Sequence, residues 1–380
     1  LVLEKISGTL AKNISNTASA MFQKPISQHT LLSALFLFAS WAFSSSLLAQ
    51  DDNTTEFTFR NSIEHITGEL YRASNGAWHS IFLVTEEGII LADPLNTAFA
   101  EWLKVELDER FKVPVRYVIY SHSHFDHAAG AGVFAATATI VAHERVLLNM
   151  DGRFPHMPGD MIERNNNGVF DRDEIMIPTT TDPGICGMFD GWFEQMDQNK
   201  DGIMTPAELQ ADILPPEITY SDRMSLTLGG KTIELIHPGK NHGDDMTVVL
   251  FPDEGVVFAS DMIADALVRD DIRSIPSACG PLDGTPIDEW IRSYEAVAAL
   301  DFERFAGGHG GIFSKEDISL PIQFLHDLKA AVQEGLANGL TLEEMQAQII
   351  LEKYSDWAYY DRLRPKTIDA AYRNLIMFRY

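Results

Sequence analysis

Three histidines and one aspartate lie directly after an apolar run, and this stretch constrains the fold more than any other. Residues 115–120 have the β-branched and aromatic composition of a strand, and residues 121–127 follow them. Imidazole and carboxylate groups are common ligands of transition metals. A strand ending here would place these side chains in one loop, where a metal ion could collect them. The alternative is an exposed histidine-rich turn without a metal.

Length and charge bound the function. The chain has 380 residues, is 45% hydrophobic and has a formal net charge of -26. A chain of this length can form one large domain or two smaller ones. Nucleic-acid binding requires a basic surface, so that class of partner is excluded and a small-molecule substrate is expected. An acidic surface also attracts divalent cations.

Residues 1–49 differ from the rest of the chain. Lys24 precedes an apolar run over residues 31–43, and small residues end at Ala49. This pattern is typical of a signal peptide, preceded here by an upstream extension. We therefore expect an exported, periplasmic protein without a stable membrane span after cleavage, because the run is short for a bilayer. A single membrane anchor is the alternative.

The two cysteines, Cys186 and Cys279, would meet an oxidising compartment after export. Neither lies in a Cys-x-x-Cys motif, so a cysteine-based zinc site is not indicated. The sequence leaves open whether the two form a disulfide.

Strand and helix patterns alternate along the chain and predict an α/β fold. A hairpin is expected over residues 80–93, a helix over 96–111, the opening of another helix over 128–136, and a strand over 139–143. Further strands are expected at residues 224–236, 246–251, 256–259 and 302–306. Several of these strands end in loops that contain a histidine or an aspartate, and glycines around His309 would let the backbone pass close to a metal site.

The motif His122-x-His124-x-Asp126-His127, followed in order by His242, Asp261 and His309, resembles the metallo-β-lactamase superfamily. The resemblance covers roughly residues 57–150 and 216–312 and implies a four-layer αββα sandwich with two metal ions at one edge. The implied ligands are His122, His124 and His242 for the first metal, Asp126, His127 and His309 for the second, and Asp261 as a bridge between them.

The resemblance also implies a chemistry. Two metal ions would activate a bridging hydroxide for hydrolysis, and Asp126 would orient this nucleophile. Zinc is the default ion for imidazole and carboxylate ligands, with iron and manganese as alternatives. The expected substrate is an ester, thioester, lactone or amide carbonyl.

Two features disagree about the branch of the superfamily. Residues 239–245 look more like the β-lactamase branch, whereas Asp261 stands where those enzymes commonly have Cys or Ser. A β-lactamase proper therefore stays an alternative. Two others are a mononuclear iron enzyme similar to persulfide dioxygenases and a calcium-binding module with a vestigial hydrolase site.

Residues 151–215 interrupt the alternation and contain two loops with the spacing of EF-hands. Predicted calcium ligands in the second loop, where Gly202 allows the sharp turn, are Asp197, Asn199, Asp201, Ile203 (through its carbonyl), Thr205 and Glu208. The less complete first loop offers Glu163, Asn165, Asn167, Val169, Asp171 and Glu174, or serves as a partner that binds no ion. Phe170 and Met204 are predicted to pair across a short two-stranded contact. Calcium here is expected to act as a structural staple rather than as a sensor.

The sequence thus divides into an upstream segment (residues 1–49), the two halves of the catalytic fold at 50–150 and 216–312, the insert 151–215 and a helical extension 313–380. Packing of this extension against the catalytic domain is expected, with homodimerisation or a pocket wall as alternatives. Asp93 and Asp244 are predicted to support the ligands, and Trp78 and His79 to border the pocket.

Overall fold

The computed structural model describes part of the chain. It covers residues 60–76, 78–150, 199–262, 285–358 and 360–378, together with the shorter pieces 167, 169–171, 197, 267–269 and 272–273. The upstream segment, both cysteines and most of the first EF-hand-like loop lie outside the described residues.

The described strands form two large sheets and two small ribbons. In chain order they are β1 Asn61–Thr67, β2 Leu70–Asn75, β3 Trp78–Thr85, β4 Gly88–Ala92, β5 Val115–Ile119, β6 Thr139–His143, β7 Phe170–Asp171, β8 Ile203–Met204, β9 Ile218–Tyr220, β10 Arg223–Leu228, β11 Lys231–Ile236, β12 Val248–Phe251, β13 Val256–Phe258, β14 Leu267–Arg269, β15 Ile272–Arg273, β16 Arg304–Ala306 and β17 Ile312–Ser314.

The first large sheet has the strand order β1-β2-β3-β4-β5-β6-β9 and the second the order β10-β11-β12-β13-β16-β17. In the first sheet β1 to β4 are antiparallel, whereas β4, β5, β6 and β9 are parallel. In the second sheet β13 and β16 are parallel and the other pairs antiparallel. The hairpin predicted over residues 80–93 is therefore confirmed, as are the further strands, and a mixed α/β architecture is present.

The described helices are α1 Thr97–Arg110, α2 Phe125–Ala128, α3 Val146–Asn149, α4 Pro206–Gln210, α5 Ile287–Ala298, α6 Ser319–Ala337, α7 Leu342–Gln348 and α8 Tyr360–Met377. Helix α1 begins where predicted, because the Asn96 side chain accepts a hydrogen bond from Phe99 N. None of the described helices is long and apolar enough to cross a bilayer.

The prediction of an α-helix that opens at residue 128 is wrong in the type of helix. Residues Ala129–Val133 form a 3₁₀ turn instead, directly after α2. A Cβ on Gly130 would lie 2.5 Å from Pro94 O and 2.7 Å from Ala100 Cβ. The turn therefore packs backbone against backbone on the start of α1, and this places α2 beside the end of β4.

Three apolar clusters hold the described layers together. One contains side chains from both large sheets, including Leu83, Ile119, Leu235 and Phe258. Another joins the first sheet to α1, and the third joins the second sheet to α5, α6 and α8. Burying such side chains is the main stabilising contribution of a fold of this kind, at about 25 cal/mol per Å² of apolar surface. The C-terminal helices thus belong to the core.

The end of the insert also belongs to the core. Met204, Leu209 and Ile213 are at most 5% exposed and lie in the same cluster as α1. The predicted pairing of Phe170 with Met204 is confirmed, since these residues face each other in the β7–β8 ribbon. Tyr120 OH donates to Leu214 O at 3.0 Å, one residue before the histidine-rich loop.

Two histidines stack where the large sheets meet. His143 ends β6, His237 follows β11, and their rings are 4.1 Å apart at an angle of 16°. His143 is 2% exposed, and Ser221 O lies 2.9 Å from its Nε2. Burial, aided by the neighbouring imidazole of His237, lowers the pKa of His143 below its ordinary value of 6.5. Protonation therefore favours the unfolded chain.

We expect the free energy of unfolding to fall as the pH drops below about 6.5, and less steeply in His143→Gln. The sign follows because the folded pKa is depressed: the unfolded chain takes up the proton first. Gln can still donate to Ser221 O. Urea unfolding at pH 7.5, 6.5 and 5.5 measures the slope. The control is His326→Gln, since that side chain is 50% exposed; equal slopes in all three proteins would contradict the assignment.

Candidate metal centre

The predicted ligands lie in loops and in the short helix α2, at one edge of the two sheets. The histidine-rich loop follows β5, and residues 237–245 connect β11 to β12. Asp261 follows β13 and His309 follows β16. Because β11, β13 and β16 run in the same direction, their ends lie at one edge of the second sheet. Thr247 N donates to Ser121 O at 2.6 Å and joins the two edges.

One group of potential ligand atoms comprises His122, His124, His242 and Asp261. His242 Nε2 lies 3.1 Å from His124 Nδ1 and 3.4 Å from Asp261 Oδ2. His122 Nε2 lies 3.8 Å from the same oxygen. None of these four side chains is more than 9% exposed, and His122 is fully inaccessible.

The other group comprises Asp126, His127, His309 and again Asp261. His127 Nε2 and His309 Nε2 lie 3.2 Å and 3.4 Å from Asp261 Oδ1. Asp126 Oδ2 is 3.5 Å from His127 Nε2 and 3.9 Å from His309 Nε2. All seven residues predicted as metal ligands are thus brought together.

The two oxygens of Asp261 face different groups, Oδ2 toward the three-histidine group and Oδ1 toward His127 and His309. Four ligands placed tetrahedrally about 2.1 Å from a zinc ion are about 3.4 Å apart, which is close to the observed separations. His122 Nε2 and His127 Nε2 are buried without a hydrogen-bond partner. Such buried nitrogens are costly unless something binds them, so the donor set fits a metal.

Asp93 fixes the orientation of two of these histidines. Its carboxylate accepts from Ser121 N at 2.8 Å and Ser121 Oγ at 2.7 Å, and lies 2.9 Å from His127 Nδ1. Ser121 Oγ in turn lies 2.9 Å from His122 Nδ1. With a proton on each Nδ1, both Nε2 lone pairs point into the centre. The predicted supporting contact from Asp93 is thus present.

Trp78 supports Asp126. Trp78 Nε1 donates to Asp126 Oδ2 at 3.0 Å, and its ring packs edge-on against His309 with centroids 5.5 Å apart. His79, beside it, is hydrogen-bonded through Nδ1 to Ser74 Oγ at 2.8 Å. The side chains of Asp126 and His309 are 19% and 24% exposed, against 0% for His122 and His127. The accessible side of the centre is therefore the one that Trp78 borders.

The loop around His242 is held by neighbouring carboxylates. Asp245, 1% exposed, accepts from Ser123 N at 3.0 Å and so joins this loop to the histidine-rich one. Asp244, predicted to support a ligand, instead pairs with Arg145 and accepts from Asn149 Nδ2 at 3.0 Å. The sequence analysis assigned the supporting role to Asp244 rather than to the next residue, Asp245. The sequence cannot distinguish two adjacent aspartates, because it does not show which partners they meet.

Burial and neighbouring charges shift the pKa values of the histidines of the centre in different directions. Burial holds the pKa of His122 well below 6.5 and lowers that of His242 to about 3. Burial also opposes protonation of His127, but the carboxylates of Asp261 and Asp126 outweigh it and raise the pKa of His127. The pKa of His309 is raised likewise, first through Asp261. These imidazoles in turn hold the pKa of Asp261 well below its usual range, despite burial. The centre thus keeps its carboxylates ionised.

The second EF-hand-like loop turns around Asp197. Asp197 is 6% exposed and accepts from Asp201 N at 3.1 Å and Gly202 N at 2.9 Å. A helix cap ends this loop: Thr205 precedes α4 and forms a capping box with Glu208. Glu208 Oε2 accepts from Thr205 N, whereas Glu208 Oε1 is buried without a hydrogen-bond partner.

The first loop is only partly described. Asn167, Val169 and the backbone of Asp171 are described, whereas Glu163, Asn165 and Glu174 lie outside the described residues. Asn167 Oδ1 accepts from Val169 N at 3.0 Å.

Comparison with known proteins connects this chain to one family. A sequence model described as "Metallo-beta-lactamase superfamily" matches residues 79–309, more than half of the chain. The "2,4-dinitroanisole O-demethylase subunit alpha" of Nocardioides sp. (strain JS1661) is 20% identical over 288 residues, covering 74% of this chain and 67% of that protein.

Two solved structures illustrate the structural likeness. The "stereoselective inverting sec-alkylsulfatase Pisa1" from Pseudomonas sp. is 16% identical with a TM-score of 0.52, covering 84% of this chain. The match spans only 51% of the alkylsulfatase. A metallo-beta-lactamase from Pontibacter korlensis has a TM-score of 0.46 at 15% identity, covering 70% of this chain and 99% of that one. The likeness to the alkylsulfatase concerns the fold alone.

A substitution at Gly308 tests the metal centre without altering any of its ligands. A Cβ at Gly308 would lie 2.9 Å from His127 Cε1 and 3.0 Å from Asp261 Oδ1, and would collide with Ser260 Oγ. We expect Gly308→Ala to weaken transition-metal binding by roughly tenfold or more, measured by chelator competition. Gly132→Ala is the matched control, because its Cβ would meet only Leu214 Cδ1 at 4.0 Å. Equal metal affinity in both variants would contradict this account of the centre.

Proposed function

The chain belongs to the metallo-β-lactamase superfamily, and we propose that it is an exported, dinuclear, metal-dependent hydrolase acting on an ester, thioester, lactone or amide carbonyl. The position of Asp261 carries the proposal, because its two oxygens face two separate sets of ligand atoms. A carboxylate so placed can hold two ions a few Å apart. Two ions are suited to hydrolysis because each can stabilise a different oxygen of the reacting group.

The residues divide into three roles. His122, His124 and His242 would hold one zinc ion, and Asp126, His127 and His309 would hold the other. Asp261 would contribute an oxygen to each; iron or manganese would fit the same donors. Bound ions of this kind lower the pKa of water and polarise a carbonyl oxygen.

Asp126 orients the attacking water. Its Oδ2 is held by Trp78 Nε1 at 3.0 Å, so the carboxylate has a fixed direction. Its side chain remains 19% exposed, which leaves it within reach of water and substrate. Substrate approaches from the side of Asp126 and His309, because the three-histidine group is more deeply buried.

The relatives widen the list of bonds to test. One acts, by its name, as an O-demethylase on 2,4-dinitroanisole, and another as a sec-alkylsulfatase. Neither is named for a carbonyl substrate. Aryl ethers and secondary sulfate esters therefore belong beside carbonyl substrates in any assay of this protein.

The wider organisation belongs to the proposal as well. The three apolar clusters support the αββα layering, with the insert 151–215 between two halves of the catalytic fold. Residues 1–49 would direct export to the periplasm and then be removed. Helices α6 and α8 belong to the core, which favours packing over dimerisation as the role of the extension 313–380.

The insert is proposed to bind calcium through residues 197–208. The buried, unpaired Glu208 Oε1 and the nearly buried Asp197 support this, since calcium prefers carboxylate oxygens. Met204 and Leu209 belong to the catalytic core, so calcium would stabilise the catalytic domain itself.

Removing the bridge tests the dinuclear site. We expect Asp261→Asn to bind about one transition-metal ion per chain where the unaltered protein binds about two, with at least a hundredfold loss of hydrolysis. The amide replaces one of the two negatively charged oxygens with a proton donor. Metal analysis after gel filtration measures the content. Asp253→Asn, at a 58% exposed side chain, is the control. Two ions retained in Asp261→Asn would exclude a bridge.

A substrate panel tests the reaction class. We expect metal-dependent turnover of aryl esters, lactones or thioesters, assayed beside nitrocefin, 2,4-dinitroanisole and a secondary alkyl sulfate. Turnover of nitrocefin alone would identify a β-lactamase. Oxygen consumption with a persulfide and one bound iron would replace hydrolysis with dioxygenase chemistry.

Calcium generates a second stability test. With a dissociation constant of about 10⁻⁴ M, 1 mM calcium would stabilise the fold by about 1.4 kcal/mol and raise the Tm by a few degrees. We expect Glu208→Gln to abolish this rise. Glu344→Gln is a matched control, because Glu344 forms the same capping box with Thr341 at α7 without a calcium loop. A rise preserved in Glu208→Gln would contradict the site.

A further inference from the structure

Asn241, directly before His242, has a partner for each of its polar groups. Its Oδ1 accepts from His242 N at 2.6 Å, and its Nδ2 donates to Ser293 Oγ at 2.7 Å and Gly239 O at 3.1 Å. Its backbone N donates to Gly243 O at 3.1 Å. Its backbone O accepts from Thr285 Oγ1 at 2.8 Å. At 1% exposure this side chain fixes the turn that presents His242.

The hydrogen bonds continue from Thr285 to the last helix. Thr285 O accepts from Asn374 Nδ2 of α8 at 2.8 Å. Asn374 Oδ1 accepts from Ile287 N, the first residue of α5, at 3.0 Å. Thr285 and Asn374 are 1% and 3% exposed. A buried path therefore leads from α8 to the residue that precedes His242.

The path is set by the packing of α8. Ile368 and Ala371 of this helix are fully buried in the cluster that α5 and α6 share. Buried amides and hydroxyls cost free energy when they lack partners, so these groups lock their neighbours into one arrangement. On the opposite side, Asp245 holds the same loop to Ser123 N. His242 is thus fixed from the histidine-rich loop on one side and from α8 on the other.

We propose that Thr285 and Asn374 are positioning residues that act through Asn241 to hold His242 in ligand geometry. This rests on the proposed function, in which His242 binds the first metal. His242 Nε2 lies 3.1 Å from His124 Nδ1 and 3.4 Å from Asp261 Oδ2. A displacement of about 1 Å would remove it from a tetrahedral site with bonds of about 2.1 Å. The C-terminal helix then contributes to the metal centre, although it supplies no ligand.

Thr285→Val tests the path at its middle with little change in volume. Removing partners of metal ligands typically costs 10- to 100-fold in metal affinity, so we expect at least a roughly tenfold loss in this variant. Thr285→Ser keeps the hydroxyl and should stay within about twofold of the unaltered protein. Asn374→Asp tests the far end, because it loses the donor to Thr285 O while keeping the acceptor for Ile287 N.

The readouts are Zn²⁺ competition against a chelator and the visible spectrum of the Co²⁺-loaded protein. Thr285→Val and Asn374→Asp should weaken the Co²⁺ band of the three-histidine site. The control is Thr367→Val, which removes a 2% exposed hydroxyl that donates to Leu363 O within α8. A merely structural role would lower the Tm in all three variants and leave the Co²⁺ spectrum and metal affinity unchanged.

Each result decides the proposal. The proposal is overturned if the metal affinities of Thr285→Val and Thr367→Val both lie within twofold of that of the unaltered protein. If Thr285→Val does not fold, the metal affinity of Asn374→Asp is judged by the same twofold limit. Loss in Thr285→Val and Asn374→Asp with rescue in Thr285→Ser supports it. If the unaltered protein binds no transition metal, the proposed function fails; if it binds two ions and both variants equal it, only the positioning path fails.

Discussion

The buried carboxylate of Asp93 is the contact on which the rest of the centre depends. It is fully inaccessible and joins three segments: Ser121 after β5, His127 in α2 and Ser260 after β13. A polar group taken out of water is costly unless hydrogen-bond partners surround it. Here the partners of the Asp93 carboxylate come from both sheets, so satisfying its hydrogen bonds also fixes how the two edges meet. The same contact determines which nitrogen of His127 faces the centre.

Much of this arrangement could be predicted because its signals are local. The strands that deliver the ligands are short apolar runs, and each turns at a glycine or a polar cluster. Residues 121–127 and the later histidines lie at the ends of such runs, so the ends could be expected to meet. The pairing of Phe170 with Met204 followed from equivalent positions in two repeated loops, and the structure confirms it.

Other features have no local signal. Strand β1 is largely exposed and β2 mixes polar with apolar residues, so neither shows a clear alternation and neither was predicted. Trp78 meets Asp126 across 48 positions, and Asn374 meets Thr285 across 89. A polar residue in a helix gives no sign of a distant partner. These contacts depend on how the layers pack, which residue spacing alone does not specify.

The two halves of the centre face solvent unequally. His309 and Asp126 retain about a fifth to a quarter of their side-chain surface, while the group around His122 is enclosed. An ion at the outer position would therefore exchange with the medium faster than one at the inner position. The identity of the outer ion would follow the supply in the surrounding medium, whereas the inner ion would be set when the chain folds. The two metal positions are chemically similar, but the identities of their ions would then be determined at different stages.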